Sequence, residues 1–225
     1  MSERLMLFDY PAKAAFGRVL PKSKIYEHAS PTSRLKELFV QQVDQMIWKY
    51  KLAPETINLP ATKAVPEIQI FHVTLKSGEL KEDVLRCIDK AIPFPIVFEL
   101  HYDSRCKAIA CYKRPNEADS TKWVVSEYFE TGWLNDTAKR EKLPVVLDLG
   151  VLYDNLLSPL MPYPALNKET MPECIARIEK IRAKERELAK WETRMKNEKQ
   201  FNRKVEINAE IRAIKQEIER MKVEG

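Results

Sequence analysis

Apolar positions along this chain fall into two regimes. Up to Leu157 they form short clusters of changing period, repeatedly interrupted by Pro, whereas Glu173 to Val223 contains no Gly or Pro and alternates charged with aliphatic residues. The first regime predicts a folded body and the second a helical arm. Leu5–Phe16 is an apolar cluster broken by Pro11, predicting a short helix over Ala12–Phe16, and Arg18–His28 is a basic, β-tolerant segment broken by Pro21. Ser33 is a helix N-cap candidate. Behind it Leu35, Leu38, Phe39, Val43, Met46, Ile47 and Tyr50 recur at spacings of three and four, which predicts one amphipathic helix from Ser33 to Leu52, stopped by Pro54. Pro54–Pro66 holds three prolines and reads as an extended connector.

Regular structure then resumes. Glu67–Leu75 alternates as a strand, Lys76–Gly78 is a turn, and Lys81–Ala91 places Val84, Leu85, Ile88 and Ala91 at helical spacing. Ile96–Tyr102, Lys107–Lys113 and Lys122–Phe129 follow as strands, with a hairpin at Asp103–Arg105. Strand, helix, strand, strand, strand implies one parallel crossover followed by antiparallel hairpins. The fold class is therefore α/β (α+β), a mixed-direction sheet with the Ser33 and Lys81 helices on one face. Val145–Leu157 begins as a strand and ends as a helix. Four prolines within Leu157–Pro172 make a stiff connector, so the chain divides into a body at 1–160, a connector at 161–172 and an arm at 173–225.

Within the arm, Ile178, Ile181, Leu188, Trp191 and Met195 form one apolar seam, and Ile207, Ile211, Ile214, Ile218 and Met221 form another, out of phase with the first. Between them Lys196–Lys204 has Phe201 as its one apolar residue. A single rod over the whole arm would run ~75 Å and need a partner along most of it. The phase break favours a helical hairpin turning within Lys196–Asn202, although that stretch has neither Gly nor Pro.

Charge sharpens this picture. The chain has 38 Lys and Arg against 33 Asp and Glu, a net +5, which is a mild bias overall. It is concentrated, however: Arg177–Lys204 carries eleven cations against five Glu, while Val205–Gly225 carries four against five. Arg194, Lys196, Lys199, Arg203 and Lys204 surround the predicted turn, the kind of group that a phosphate backbone binds. These five are the candidate nucleic-acid contacts, and Ile207, Ile211, Ile214, Ile218 and Met221 the candidate partner-binding seam. An ordinary solvated helix face would share the same charges.

Other chemistry is sparse. The four cysteines form no CxxC pair and suit a reducing compartment, and no stretch reaches the ~18 apolar residues of a membrane span, so the expectation is a cytosolic protein. His101, Cys106 and Cys111 have a superficially metal-like spacing, but five residues along a strand point the two thiols to opposite faces, so they read as buried structural thiols. Parity puts Glu99 and His101 together on one strand face, most simply as a solvated pair. The dispersed glycines offer no phosphate-cradling loop, which argues against an NTPase. Catalytic residues, metal ligands and cofactors are accordingly not assigned.

Several long segments carry a family likeness: RVLPKSKIYEHA (Arg18–Ala29), YKLAPETINLPA (Tyr50–Ala61), CIDKAIPFPIVFEL (Cys87–Leu100), YKRPNEADSTKWV (Tyr112–Val124) and EKQFNRKVEINAEIR (Glu198–Arg212). In these the chain resembles the bacterial family Domain of Unknown Function 4391. The resemblance carries no active site with it. It implies an accessory subunit of a DNA-acting assembly of phage-defence type, with a helicase or DNA methyltransferase as protein partner and DNA as a further ligand. Two alternatives stand beside that expectation: a divergent metal-dependent nuclease using Glu67, Glu99 or Lys113, and a scaffold that self-associates through the arm.

Overall fold

The structure, a computed structural model, describes residues 7–116, 118, 119 and 122–223. Leu5 and Met6, where the predicted first cluster begins, lie outside them. The chain forms two units, Met1–Met161 and Pro162–Gly225.

In the first unit β1 (Phe8–Asp9) leads through a 3-10 turn at Ala12–Ala14 into β2 (Ala15–Val19), so the short helix expected there is one turn and the start of a strand. Gly17 has φ 65 at the register break between Ala15 and Arg18, a left-handed position that a β-carbon would strain. The β-tolerant reading of Arg18–His28 is also corrected: Lys22–Ala29 is a helix, α1. Pro21 sits at its N-cap, where a missing N–H is harmless, and Ile25 and Ala29, four apart, share its buried face.

The predicted Ser33–Leu52 helix is really two elements, α2 (Ser33–Gln42) and β3 (Val43–Leu52). Thr32, one residue before the expected cap, accepts the Leu35 N–H at 3.3 Å. The change of state at Val43 has a tertiary cause. Val43, Ile47, Trp48 and Tyr50 are β-branched or aromatic, and β3 is laddered on both sides, so strand pairing outweighs the helical spacing.

After the short α3 (Pro54–Ile57) come β4 (Ile68–Leu75), α4 (Glu82–Ala91), β5 (Ile96–Tyr102), β6 (Arg105–Pro115) and β7 (Trp123–Glu130). Asp103 and Ser104, both at positive φ, form the tight two-residue turn between β5 and β6. Two short strands, β8 (Leu134–Asn135) and β9 (Glu141–Lys142), precede α5 (Leu149–Leu157). The strand expected at Val145 is absent; Val145 and Leu147 are exposed and unladdered.

Sheet order is β2-β3-β4-β5-β6-β7, with β8 also on β6, and its one parallel pair is β4 with β5, the predicted crossover. α1, α2 and α4 cover one face, where Ile25, Phe39, Val84 and Ile88 meet Phe71, Val73, Phe98 and Leu100 in one core. The opposite face is closed by the β1 segment and α5: Leu7, Tyr10, Leu156 and Leu160 close over Val97, Glu99 and Ala108. β1 pairs in parallel with β9, clipping the chain between β8 and α5 against the N-terminal segment.

The second unit is a hairpin of α6 (Met171–Asn197) and α7 (Phe201–Val223). Ile181, Ile214 and Ile218 form its core, flanked by Leu188, Trp191 and Met221. Lys184–Glu217 at 2.9 Å and Lys215–Glu192 at 3.0 Å bridge the helices. The turn manages without Gly or Pro because the Glu198 carboxylate accepts the N–H groups of Lys199 and Gln200 at 2.8 and 2.9 Å, satisfying donors where α7 begins. At the other end Arg177 acts as a staple: its guanidinium donates to Glu169 at 2.7 and 2.8 Å and to the Pro164 carbonyl at 2.8 Å. Among the described residues no helix is long and apolar enough to cross a membrane.

Candidate functional site

The hairpin turn assembles the five predicted cations. Arg194 and Lys196 end α6, Lys199 lies in the turn, and Arg203 and Lys204 begin α7; all are exposed except the half-buried Lys204. Among the described residues none of the five is in an ion pair. The local balance across 194–204 is five cations to one acid, Glu198, whose carboxylate is occupied with the turn. Two aromatics accompany them. Phe201 is 77% exposed, and the Arg194 guanidinium lies 5.1 Å over the Trp191 ring. Trp191, Arg194 and Arg203 line a shallow cleft of about 290 Å³ with Glu206, Ile207 and Glu210. The partner-binding candidates lie elsewhere: Ile207, Ile211, Ile214 and Ile218 are buried in the hairpin seam and Met221 is half-buried against its core.

A second polar cluster sits on the body's sheet. In the parallel β4–β5 ladder His72 stands beside Glu99 and Thr74 beside His101, so the two imidazoles and the carboxylate share one face. Far from being a solvated pair, Glu99 is 1% exposed. Arg140, held beside β1 by the β1–β9 pairing, donates to the Phe8 carbonyl at 2.9 Å and grips both Glu99 oxygens at 2.8 Å. His72 Nε2 approaches Glu99 Oε2 to 3.0 Å without the alignment of a hydrogen bond, and His101 Nε2 is likewise buried with no partner. The two rings lie 4.7 Å apart. Burial pushes the Glu99 carboxyl up, but the His72 and Arg140 contacts more than reverse this and hold it at about 2. Burial and the neighbouring His72 push His101 down, favouring its neutral ring.

The family model for Domain of unknown function (DUF4391) matches residues 8–218. The chain is a DUF4391 protein. No curated protein matches it, and no solved structure does.

The remaining strand residues weighed for chemistry are dispersed in the DUF4391 fold. Glu67 pairs with Lys51 at 3.3 Å and accepts from Gln69 at 2.5 Å, Glu99 is held by Arg140, and Lys113 is buried on the α4 side. Lys113 Nζ donates to the carbonyls of Asp89 and Ile92, both at 2.5 Å, and to Asp89 Oδ1 at 3.2 Å, capping the C-terminal end of α4 from within the sheet. Tyr128 also donates to Asp89, and Burial pushes that carboxyl up against the opposing influence of Lys113. Cys87, Cys106, Cys111 and Cys174 are all buried and outside any disulfide, as the structural-thiol reading of Cys106 and Cys111 expects for those two. Sequence reasoning paired Glu99 with His101 by parity but missed His72 and Arg140. The strand pattern of Glu67–Leu75 contained His72 at the right parity; what it lacked was the register that sets His72 beside Glu99.

Proposed function

We propose that this DUF4391 protein is a non-catalytic, nucleic-acid-binding accessory subunit whose contact is the turn of the α6–α7 hairpin. The observation that carries the reading is the group of five cations, in no ion pair among the described residues, placed together at that turn beside an exposed Phe201. Arg194, Lys196, Lys199, Arg203 and Lys204 neutralise consecutive phosphates, while the Phe201 ring offers a stacking face to an unpaired base. The preferred ligand is therefore single-stranded DNA. Because the Ile207–Ile218 seam is occupied within the hairpin, the arm meets its ligand through the outer surface of its turn.

The helicase or methyltransferase partnership is what the family resemblance implies. The exposed Val145 and Leu147 ahead of α5 are compatible with a protein contact there without identifying the partner.

Fluorescence anisotropy with a labelled oligothymidine and the matching duplex, between 50 and 200 mM salt, tests the nucleic-acid reading. With five phosphates neutralised, the affinity for the single strand falls with a log–log salt slope of about −3.5, at ~0.7 per contact. Lys199→Glu with Arg203→Glu lowers affinity for both oligonucleotides and flattens the slope, whereas Phe201→Ala weakens the single strand selectively, by about 1–3 kcal/mol. Absence of binding at 50 mM salt, or binding indifferent to the charge reversals, refutes the reading.

A further inference from the structure

We infer that His72, Glu99 and His101 form a binding site for a divalent first-row transition ion, with Zn²⁺ as the natural probe. One donor atom from each of these residues lies within 4.8 Å of the other two. Two imidazoles and one carboxylate form a donor set that suits such ions far better than it suits Mg²⁺ or Ca²⁺, which take mainly oxygen.

The second observation concerns the nitrogens themselves. Both Nε2 atoms are buried: that of His101 has no hydrogen-bond partner, a condition folded proteins seldom leave unexplained, and that of His72 meets Glu99 Oε2 at 3.0 Å without hydrogen-bond alignment. Two buried nitrogens facing one carboxylate are satisfied together by one cation.

Arg140 is compatible with this role. A carboxylate offers about four acceptor positions, and the guanidinium uses one on each Glu99 oxygen, leaving Oε2 a free position on the side of His72. Arg140 then acts as an outer partner that fixes the orientation of the ligating carboxylate. Tetrahedral ligand bonds of about 2.1 Å separate donors by about 3.4 Å, so the site closes by ring rotations of roughly an ångström. His72 and His101 are each part-exposed as residues, while Glu99 is buried. Cys106 is the cross-strand neighbour of His101, but its sulfur lies outside the donor triad. With three protein donors, the ion keeps a position for water or a small anion.

The full chain, stripped with EDTA, is titrated with Zn²⁺ against a chromophoric chelator and with Co²⁺ by visible absorption. One equivalent binds to the wild type, and Co²⁺ gives the spectrum of nitrogen and oxygen ligation, without a thiolate charge-transfer band. His72→Ala and His101→Ala each weaken binding by at least the roughly 10–100-fold that loss of an outer partner alone produces. His28→Ala, the third histidine, and Cys106→Ser leave it unchanged. Circular dichroism of each variant, together with His101→Gln, separates loss of a ligand from loss of the fold. Failure of the wild type to bind one equivalent overturns the inference. So does equal binding by the folded His72 and His101 variants, or a loss confined to Cys106→Ser.

Discussion

Replacing Glu99 by Gln preserves the shape of a buried side chain while removing its charge, and the structure sets the size of the result. The carboxyl ordinarily titrates near 4.5 and here is held at about 2, although burial alone would raise it. At 1.36 kcal/mol per pKa unit, burial and the His72 and Arg140 contacts together favour the charged folded form by a net of about 3 kcal/mol. The sign follows from the direction. A depressed carboxyl contributes stability that is complete above its unfolded pKa and disappears as pH falls through its folded one. Wild type should thus exceed Glu99→Gln by about 3 kcal/mol at pH 7. The difference should stay flat down to about pH 5, then shrink toward zero near pH 2. Urea unfolding in EDTA, followed by tryptophan fluorescence in a Trp191→Phe background, confines the signal to the first unit, where Trp48, Trp123 and Trp133 reside. Comparing the two proteins at each pH cancels the titrations they share. A difference that is constant from pH 6 to pH 2.5, or a variant as stable as wild type at pH 7, would refute the assignment of the low pKa to these contacts.

Two further outcomes test the packing. Lys113→Met breaks a pair in which both partners are buried and should destabilise the body by about 3–5 kcal/mol, whereas adding Asp89→Leu should restore only part of the loss, because the Tyr128 hydroxyl and the Asp89 and Ile92 carbonyls still lack their partners, as a urea double-mutant cycle would show. Ile214→Ala removes a core residue of the hairpin and should cost about 2–5 kcal/mol, seen as faster amide exchange along α6 and α7 while the β-sheet amides keep their protection.

The arm was legible in the sequence because its determinants are local. Two seams out of phase cannot lie along one face of a straight helix, and the polar interval between them marks the turn; helical periodicity within a few residues carries that information. The β5–β6 hairpin was legible for a related reason, since strand alternation and an Asp-Ser pair able to adopt positive φ lie adjacent in the chain. Val43 to Tyr50 shows the limit. Its apolar spacing continues the helix before it, and only pairing with β2, more than twenty residues upstream, and β4, about twenty downstream, makes it a strand. The polar cluster lies beyond that limit altogether. Glu99 and His101 share a face by parity, but His72 reaches them through a parallel register and Arg140 through the β1–β9 pairing of distant segments. Periodicity therefore determined which segments are helical and where the arm turns. Long-range pairing decided which charges are buried together, because desolvation and hydrogen-bond geometry act only once distant strands are in contact.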